Sequence, residues 1–545
     1  MDAVTVKKIA IIGGGSAGWM TASYLKKALP AVDITLVEAS DIPIIGVGEA
    51  TVFALNDFLD FLDLEEAQWM PACKAGYKYA IRFDNWYEIG DSYWHPFEVF
   101  PSYKSDLHVA HFWNELNRVT PRPKHRSRLY SDCFLSVDLI GDNRVFRQPG
   151  ARDHVPDSCS FKVNDGRYEQ YLGYAFHFDA GLFGEYLKSA VAEPHGVVHR
   201  IDEITSVNIG EDGSIDSLGT KSEKSVQADL FIDCTGFSAR LIDKTMDEPF
   251  DSYSNSLFCD RAIAMPVPYE HRRLELRPYT MATALSSGWV WNTPLQHRMG
   301  TGYVYCSAFK SRDEAELEYR RHLGEQRVEN LAARHIDMRV GKHRRTWVKN
   351  CVAIGLSAGF VEPLESTGIH FIHHGVGTLV DALRGYAYNA QDVETYNRGV
   401  SAQMEDTRDF LTLHYMLTNR GDSEFWQQVK HDTEPCGVLP ELLEKSLEQF
   451  PTQEIGPLFT PSSWVCVLNG MNYLPRGRAP GAAKDTLSIQ TALINSMQVA
   501  KGKFEGLLWK HADYLDQLGA TVSPNPTERA KGSLKNAESS RDDEP

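Results

Sequence analysis

The first forty residues alternate between apolar runs and a segment with helical spacing, which predicts a strand, a helix and a second strand. The run "KIAII" is typical of a buried strand, "SAGWMTASYLKKAL" has the apolar spacing of a helix, and "VDITLVE" indicates the next strand. A strand–helix–strand unit of this kind places its two strands parallel in one sheet. We therefore predict an α/β fold.

Later apolar runs predict further strands and then a helical region. The segment "ADLFIDCTG" predicts a strand that ends in Thr235 and Gly236, and "NCVAIG" leads into a glycine turn. Residues 84–104 are aromatic and have the irregular pattern of a loop, and residues 167–198 are typical of a loop that enters a helix. After Gly375 long helical patterns dominate, with a predicted loop around residues 458–475 among them.

Charge and composition exclude several classes of partner. The formal net charge of −17 at pH 7 argues against nonspecific binding to nucleic acid or to an anionic membrane surface. No apolar run approaches the length of a membrane-spanning helix, and the N-terminus lacks the layout of a signal peptide. The nine cysteines are scattered singly, which indicates reduced thiols and a cytoplasmic location.

The turn after the first strand carries a dinucleotide-binding fingerprint. Gly13, Gly15 and Gly18 match GxGxxG between a strand and a helix, and Glu38 ends the next strand. Glycines at these positions permit a tight turn, a close approach of the backbone to pyrophosphate, and close packing of helix on strand. The helix N-terminus would hold the anion, and Glu38 would bind a ribose. The fingerprint alone leaves NAD and FAD both open.

A second resemblance favours FAD. The segment "DLFIDCTGF", residues 229–237, resembles the strand and Thr-Gly segment of flavoproteins built like the aromatic hydroxylases. The segment "CVAIGLSAGFVEPL" occupies the place where those proteins run the flavin along a helix start. The implied fold is a Rossmann-like FAD-binding box of the aromatic-hydroxylase type with a mostly helical substrate subdomain.

The length of 545 residues is too great for one simple core, so we predict three parts. Residues 1–385 form the FAD-binding box, with substrate-facing insertions at about 86–160. Residues 386–520 form a mostly helical subdomain on the substrate side. Residues 521–545 are polar and poor in apolar side chains, which predicts a disordered tail.

Three further motifs complete a resemblance to the flavin-dependent tryptophan-halogenase family. "GYKYAIRFDNW" contains Lys78, "GWVWNTPL" contains Trp289, Trp291 and Pro294, and "EPLESTGI" contains Glu365. The glycine segments "GGGSAGW" and "GVGEAT" belong to the same pattern. The family signature WxWxIP has threonine in place of isoleucine here. The resemblance covers residues up to about 400 well and the remainder loosely.

The resemblance implies a reaction in two stages. Reduced FAD and oxygen oxidise a halide, chloride or bromide, to hypohalous acid. The acid passes through a tunnel to Lys78, which holds it by a hydrogen bond or as a haloamine and delivers it to an electron-rich aromatic ring. A lysine in an apolar setting has a lowered pKa, and Glu365 would polarise the oxidant and accept the ring proton. The backbone N–H groups of Thr367 and Gly368 would form the halide site.

The same resemblance assigns the remaining residues and partners. The residues assigned to the cofactor are Gly13, Gly15, Ser16, Ala17, Gly18, Glu38, Gly48, Glu49, Ala50, Thr51 and Gly355. Trp289, Trp291, Pro294 and Ser366 are assigned to the region of the flavin and the tunnel, where the two tryptophans would keep the substrate away from the flavin. A separate NAD(P)H-dependent flavin reductase and a small aromatic substrate are the implied partners, and the chain is a monomer or a homodimer. His370, His373 and His374 lack a recognised ligand spacing, so we predict no metal.

The substrate site resembles the family only in part. His95, Pro96 and Phe97 match the segment from which family members place aromatic rings on the two sides of an indole. Members that bind free tryptophan also carry a Tyr-Tyr pair and a downstream Glu/Trp set. Residues 458–475, "LFTPSSWVCVLNGMNYLP", differ from that set. We therefore predict a more open site for an indole-like ring.

Two other functions compete with this interpretation. A flavin monooxygenase would hydroxylate the ring instead, but Lys78 and the double tryptophan motif disfavour it. A non-catalytic FAD-binding protein would leave Lys78 and Glu365 without a role beside the flavin motifs.

Overall fold

The structure is a computed structural model. It describes residues 3–40, 48–97, 114, 130–146, 158–163, 166–171, 173–451, 453–476, 502 and 508–520. The predicted tail at 521–545 and much of the predicted insertion at 86–160 lie outside the described residues.

A six-stranded sheet confirms the predicted α/β fold. In spatial order its strands are Val198–Ile201, Asp33–Glu38, Lys8–Ile12, Leu230–Asp233, Cys351–Ala353 and Trp347–Val348. The first five are parallel and the last is antiparallel. The helix Ser16–Ala28 connects the two strands that were predicted beside it and buries Trp19 and Met20. Because the carboxyl ends of parallel strands meet at one edge, the glycine turn and Thr235 lie at the same edge.

A seven-stranded sheet carries the tryptophan motif. Its strands in spatial order are Arg334–Asp337, Arg261–Val267, Met299–Tyr305, Gly288–Pro294, Thr280–Ala284, Ala80–Asp84 and Ser92–Pro96. All neighbours are antiparallel except the pair Thr280–Ala284 and Ala80–Asp84. Side chains two apart on a strand share a face, so Trp289 and Trp291 lie together, with ring centroids 6.4 Å apart.

A small three-stranded sheet joins the predicted cofactor segment to the predicted catalytic lysine. Its central strand Ala175–Phe178 pairs antiparallel with Glu49–Ala50 on one side and with Gly76–Lys78 on the other. Lys78 is in register with Ala175, and Ala50 with His177. The sheet therefore fixes the position of Lys78 relative to the segment after Gly48.

The remaining strands form short sheets. They are Val4–Thr5 with Ala387–Tyr388, Ser158–Val163 with Gly166–Tyr171, Arg144–Val145 with Trp509–Lys510, the set Ile204–Ile209, Ile215–Thr220 and Ser225–Val226, and the set Phe250–Ser252, Gly341–His343 and Gly359–Phe360.

The helices are distributed along the chain, and the two longest that the structure describes, Gly368–Ala382 and Ala390–Met416, follow each other. The α-helices are Ser16–Ala28, Leu55–Phe61, Glu66–Ala72, Leu135–Gly141, Ala180–Tyr186, Arg272–Glu275, Arg312–Leu323, Glu325–Val328, Gly368–Ala382, Ala390–Met416, Glu424–Asp432, Leu439–Ser446, Pro461–Gly470 and His511–Ala520. A π-helical turn covers Leu187–Ala192, and 3₁₀ turns cover Tyr130–Cys133, Gly236–Ser238, Gly355–Ser357 and Pro363–Glu365. The long helix Ala390–Met416 packs Phe410 and Leu413 into the same apolar cluster as Ile12 and Phe83.

Three predicted loops are wrong in part. Ser92–Pro96 and Ala175–Phe178 are strands, and Pro461–Gly470 is a helix. Each strand is short and takes its stability from neighbours distant in the sequence, which a local pattern does not reveal. The helix follows a standard start, since the Thr460 side chain accepts from the N–H of Ser463 and Pro461 occupies the first turn.

Candidate active site

The glycine turn has the shape that a pyrophosphate cradle requires. Gly13 has φ +112°, and a Cβ there would lie 2.2 Å from the carbonyl oxygen of Cys234. A Cβ at Gly18 would lie 1.9 Å from the carbonyl oxygen of Gly13, so helix and turn meet backbone to backbone. Gly15 differs, because a Cβ there would meet no described protein atom within 4 Å. The space beside Gly15 is therefore open for a ligand to approach the backbone.

The other predicted cofactor residues surround this turn. The helix Ser16–Ala28 starts without a side-chain cap, so its first N–H groups are available to an anion. Glu38 lies partly exposed at the strand end, where its Oε1 is 2.6 Å from His199 Nε2. Gly355 has φ +81°, and its Cβ position is 2.8 Å from the Cβ of Ala17. These residues fit FAD, which the fingerprint and the resemblance imply.

The segment 48–51 runs from the cofactor side toward Lys78. Gly48 has φ +92°, and Glu49 and Ala50 form a partly buried strand. Burial raises the pKa of Glu49 to about 7, and the charge of Asp179 adds to the effect. The Thr51 hydroxyl is buried and donates to the carbonyl of Phe176 at 3.0 Å. Thr51 thus faces the small sheet, and its carbonyl accepts from Lys78.

Lys78 is fully buried at the end of its strand. Its Nζ donates to the Thr51 carbonyl at 2.9 Å and lies 4.8 Å from the centroid of the Phe97 ring. Burial lowers the pKa of Lys78 to about 7, against the opposing effect of the Glu365 charge. A large fraction of the side chain is therefore an uncharged amine near neutral pH, which is the form that can act as a nucleophile.

Glu365 lies between two histidines. His95 Nδ1 is 2.8 Å from Oε2, and His414 Nε2 is 3.2 Å from Oε1 without hydrogen-bond geometry. Burial alone would raise the pKa of this carboxyl, but His95 and His414 outweigh that effect and lower the pKa to about 2. His414 Nδ1 donates to the carbonyl of Phe410 at 2.9 Å, so Nε2 is the atom left to face Glu365. The carboxylate is therefore ionised at any working pH.

A second buried carboxyl, Glu362, anchors the tryptophan motif to the same turn. Its Oε2 accepts from Trp289 Nε1 at 2.9 Å and from the Tyr415 hydroxyl at 2.5 Å. Burial raises the pKa of Glu362 to about 7, although the two donors act in the opposite direction. Trp289 is thereby held by a residue that lies three positions before Glu365 in the chain. Pro294 ends the same strand.

The turn at residues 366–368 has free polar groups at a helix start. Ser366 adopts a left-handed conformation with φ 63°, and Thr367 directly precedes the helix Gly368–Ala382. The hydroxyls of Ser366 and Thr367 are buried and lack a hydrogen-bond partner among the described residues. The N–H groups of the first helical turn add to the positive potential. This arrangement suits a small anion.

A cleft opens beside Glu365 and holds about 480 Å³ of empty space, part of it continuous with solvent. It is lined by Val52, Phe53, His95, Pro96, Phe97, Glu365, Leu458, Phe459, Thr460, Ser462 and Ser463. All three residues assigned to the substrate line this cleft. Lys78 lies behind the cleft wall, against the Phe97 ring.

The expected aromatic pair requires a correction. The rings of His95 and Phe97 have centroids 6.1 Å apart and planes at 88°, so they do not face each other across a slot. His95 is held by its contact with Glu365, which fixes the ring in that orientation. A flat substrate would therefore stack on one of these rings and meet the edge of the other.

Three features of the site were not predicted from the sequence: His414, Tyr415 and the contact between Glu362 and Trp289. His414 and Tyr415 come from the middle of a 27-residue helix, where their spacing resembles that of a packed face. Glu362 was visible next to Glu365, but its partner Trp289 lies 73 residues away in the chain.

The three histidines of the helix Gly368–Ala382 pack in place. His370 Nε2 is 3.1 Å from Gln403 Oε1, and burial lowers the pKa of His370 to about 4. Within the described residues no group of three or more His, Cys, Asp or Glu side chains has an arrangement for a metal ion. Among the helices that the structure describes, none has the length and apolarity to cross a membrane.

The chain is similar over most of its length to tryptophan halogenases. The family model described as "Tryptophan halogenase" matches residues 8–486. Tryptophan 6-halogenase SttH from Streptomyces toxytricini is 38% identical over 488 residues, 87% of this chain and 91% of that protein. The 7-chloro-L-tryptophan 6-halogenase KtzR from Kutzneria sp. (strain 744) is 37% identical over 526 residues, 94% of this chain and 99% of that protein.

Solved structures agree. Tar14, a tryptophan C-6 flavin-dependent halogenase (chlorinase) from taromycin biosynthesis, superposes with a TM-score of 0.82 at 36% identity, covering 94% of this chain and 99% of that one. The α/β fold, the glycine turn at residues 13–18 and the similarity to known halogenases together define an enzyme of the flavin-dependent halogenase class. The chain belongs to the tryptophan halogenase family. Enzymes of this class generally take reduced flavin from a separate reductase and act on aromatic substrates.

Proposed function

We propose that this enzyme uses reduced FAD, oxygen and chloride or bromide to form hypohalous acid and to halogenate an indole-like ring. Oxygen is reduced by four electrons, two from reduced flavin and two from the halide. One oxygen atom leaves in water and the other in the hypohalous acid. The acid then transfers a halogen cation equivalent to the ring, which loses a proton, and the second oxygen atom leaves as water.

The observation that supports this proposal most is that Lys78 and Glu365 both lie next to one cleft. A buried amine with a pKa near 7 lies against the Phe97 ring, and Phe97 and a buried carboxylate line the same cleft. FAD would be held by the turn at Gly15 and by Glu38, and it supplies the reducing electrons when bound. The residues of the chain then bind the halide, carry the oxidant and receive the ring.

Lys78 suits the role of carrier for hypohalous acid. The neutral amine displaces hydroxide from the halogen, and the hydroxide takes the amine proton and leaves as water, which yields a haloamine. The ammonium form instead holds the acid by a hydrogen bond. A pKa near 7 makes both forms available at neutral pH. Burial also excludes water, which would otherwise dilute the oxidant and let it escape.

Glu365 suits the stabilisation of positive charge in the ring. When the halogen adds, the ring becomes a cation and its proton becomes strongly acidic, so even a weakly basic carboxylate can remove it. Because the pKa of Glu365 is about 2, the carboxylate is present throughout the cycle. His95 and His414 hold it in place.

We place the halide at the turn formed by Ser366, Thr367 and Gly368. Two buried hydroxyls without described partners and the start of a 15-residue helix support this assignment. The turn directly follows Glu365. Glu362, three residues before Glu365, accepts a hydrogen bond from Trp289, to which we assign the separation of this region from the substrate side.

The cleft supports an indole or a simple indole derivative as substrate. Among its described lining residues Glu365 is the sole carboxylate, and neither lysine nor arginine is present. Glu365 already faces two histidines, so the ammonium and carboxylate of an amino acid would find no dedicated partner there. Unpaired buried charges are costly, whereas Phe97, Phe459 and Phe53 offer apolar surface to a ring. The names of the similar enzymes favour free tryptophan as the second candidate.

We also propose that a separate NAD(P)H-dependent reductase supplies the reduced flavin, since the sequence contains one dinucleotide fingerprint. Purified enzyme alone should not oxidise NADPH rapidly, and rapid oxidation without added reductase would contradict this assignment. Seven of the nine cysteines have side chains that the structure describes, and these seven are free thiols, which supports a reducing compartment.

Mass spectrometry of reactions with FAD, a reductase and each halide tests the activity. We expect a halogenated product from indole with chloride or bromide, and none when halide is omitted. Equimolar indole and tryptophan should then compete in favour of indole. A higher kcat/KM for tryptophan would show that the enzyme grips the amino acid through other residues, and a hydroxylated product would contradict halogenation.

A further inference from the structure

We propose that His511 is a positioning residue for Lys78 and that the C-terminal helix His511–Ala520 is part of the oxidant-delivery machinery. The inference rests on the proposed role of Lys78 as carrier. It concerns a residue that neither contacts the cleft nor belongs to any motif described above.

Within the part of the chain that the structure describes, the strand Gly76–Lys78 is an edge strand. Ala175–Phe178 pairs with it on one side, and none of the described strands lies on its other side. An open edge leaves backbone groups unpaired, which is costly when the edge is buried. Here all three residues are buried, so other groups must satisfy that edge.

Side chains take the place of the missing strand. His511 Nε2 accepts from the N–H of Tyr77 at 3.0 Å, and Gln296 Nε2 donates to the carbonyl of Ala75 at 2.7 Å. On the same run, the N–H of Tyr79 donates to the carbonyl of Pro278 at 2.9 Å. The residue bonded to His511 directly precedes Lys78, so His511 holds the backbone from which the Lys78 side chain extends.

His511 is itself held in place by two further contacts. Its Nδ1 lies 3.1 Å from the carbonyl of Leu276, and its backbone N–H donates to the carbonyl of Asn143 at 2.8 Å. A carbonyl only accepts, so Nδ1 carries the proton and Nε2 is the lone-pair nitrogen that Tyr77 requires. The two contacts therefore specify one tautomer, and the ring bridges the Lys78 strand to the segment at Leu276.

Gly76 makes room for this ring. A Cβ at Gly76 would lie 3.0 Å from His511 Cε1 and 3.2 Å from Nε2. The φ of Gly76 is not in the left-handed region, so backbone conformation does not require glycine there. Glycine is required there because the imidazole of His511 approaches so closely. Burial lowers the pKa of His511 to about 3, so the ring stays neutral and keeps its acceptor at every working pH.

His511 should therefore affect delivery of the oxidant and not its formation. The glycine turn at residues 13–18 and the halide turn at 366–368 do not contact His511, so its loss should leave the formation of hypohalous acid unchanged. Delivery should suffer, because a shift of about 1 Å in a reacting group costs up to about 100-fold in rate. Hypohalous acid would then escape in place of reacting with the ring.

Two matched variants test the proposal. In His511→Gln the longer amide can place its oxygen near the former Nε2 and accept from Tyr77. In His511→Asn the shorter amide reaches only the former Nδ1 position and leaves the Tyr77 N–H without an acceptor. Gly76→Ala keeps the histidine and displaces it. His431→Asn, at an exposed position on another helix, serves as the control.

The first measurement needs no cofactor. Hydrogen–deuterium exchange of the peptide around residues 74–80 should accelerate by about 10-fold or more in His511→Asn and less in His511→Gln, because the Tyr77 amide loses its partner. The control should match the wild type. Unchanged exchange in His511→Asn would show that the contact does not hold the strand.

The second measurement compares delivery with formation of the oxidant. With reductase, halide and indole, product and escaped hypohalous acid are quantified together by means of a soluble thioether trap. We expect product per oxidant to fall about 10- to 100-fold in His511→Asn, to fall less in Gly76→Ala, and to be largely restored in His511→Gln.

The outcomes separate two failures. A wild-type ratio in His511→Asn, while Lys78→Ala makes no product, would overturn the positioning role alone. A proportional loss of oxidant and product would also overturn it, since that result indicates general destabilisation. Full product from Lys78→Ala would overturn the proposed function itself.

Discussion

Lys78→Met should make the protein more stable at neutral pH while it removes activity. Methionine has nearly the same length and stays apolar, so the buried space remains filled. The pKa of Lys78 falls from 10.5 to about 7 because the site is desolvated. Each pKa unit corresponds to about 1.4 kcal/mol, so this depression costs the folded state about 5 kcal/mol at pH 6.

The loss of the Thr51 contact offsets part of that gain. A carbonyl left without its donor costs about 2 kcal/mol, so the variant should be about 3 kcal/mol more stable than the wild type at pH 6. The sign follows from the depressed pKa of a base. Below pH 7 lysine is charged in both states and the penalty is complete. Between pH 7 and 10.5 the folded lysine is neutral, so the penalty declines as pH rises, to about 2 kcal/mol at pH 9.

The assay compares unfolding of wild type and Lys78→Met in guanidinium chloride at pH 6 and pH 9. The two proteins should differ clearly at pH 6 and converge at pH 9. Lys224→Met, at an exposed turn position, should show no such pH dependence. If Lys78→Met were less stable at pH 6, or if the difference did not change with pH, the desolvated lysine would not exist as described.

Three further outcomes follow from the site. Glu365→Gln should lower the halogenation rate roughly 10²- to 10⁴-fold with unchanged hypohalous acid formation, and a wild-type rate would make the carboxylate structural. Gly15→Ala should weaken FAD binding without changing the Tm of the FAD-free chain. Gly18→Ala should lower that Tm, because its Cβ would lie 1.9 Å from a backbone oxygen. Equal FAD affinity in wild type and Gly15→Ala would contradict the assignment of this turn to the pyrophosphate. Thr367→Val should raise the KM for halide while stability is kept, since the hydroxyl has no described partner, and an unchanged KM would place the halide elsewhere.

Local signals in the sequence were sufficient for part of the molecule. The strand–helix–strand unit and its glycines depend on contacts within about thirty residues, so pattern and turn chemistry determine them. Strands such as Ala175–Phe178 and Ser92–Pro96 form because partners from distant parts of the chain meet them. A short segment of the sequence does not show which distant strand will pair with it.

The site divides in the same way. Lys78 and Glu365 were predicted from motifs, and the structure brings both next to one cleft wall. The orientation of His95 was not predictable, because it depends on the carboxylate 270 residues away. The contact between His511 and Tyr77 spans 434 residues, and only the folded chain shows that an isolated histidine near the C-terminus completes the edge of the lysine strand.

The central claim is that Lys78 carries the oxidant from the flavin side to the ring, and Lys78→Ala measures it most directly. FAD binding, flavin oxidation and trapped hypohalous acid are followed together with halogenated product in one reaction. We predict normal FAD binding and normal hypohalous acid, with halogenated indole reduced to background. Product at the wild-type level would contradict the account, and so would a parallel loss of hypohalous acid and product.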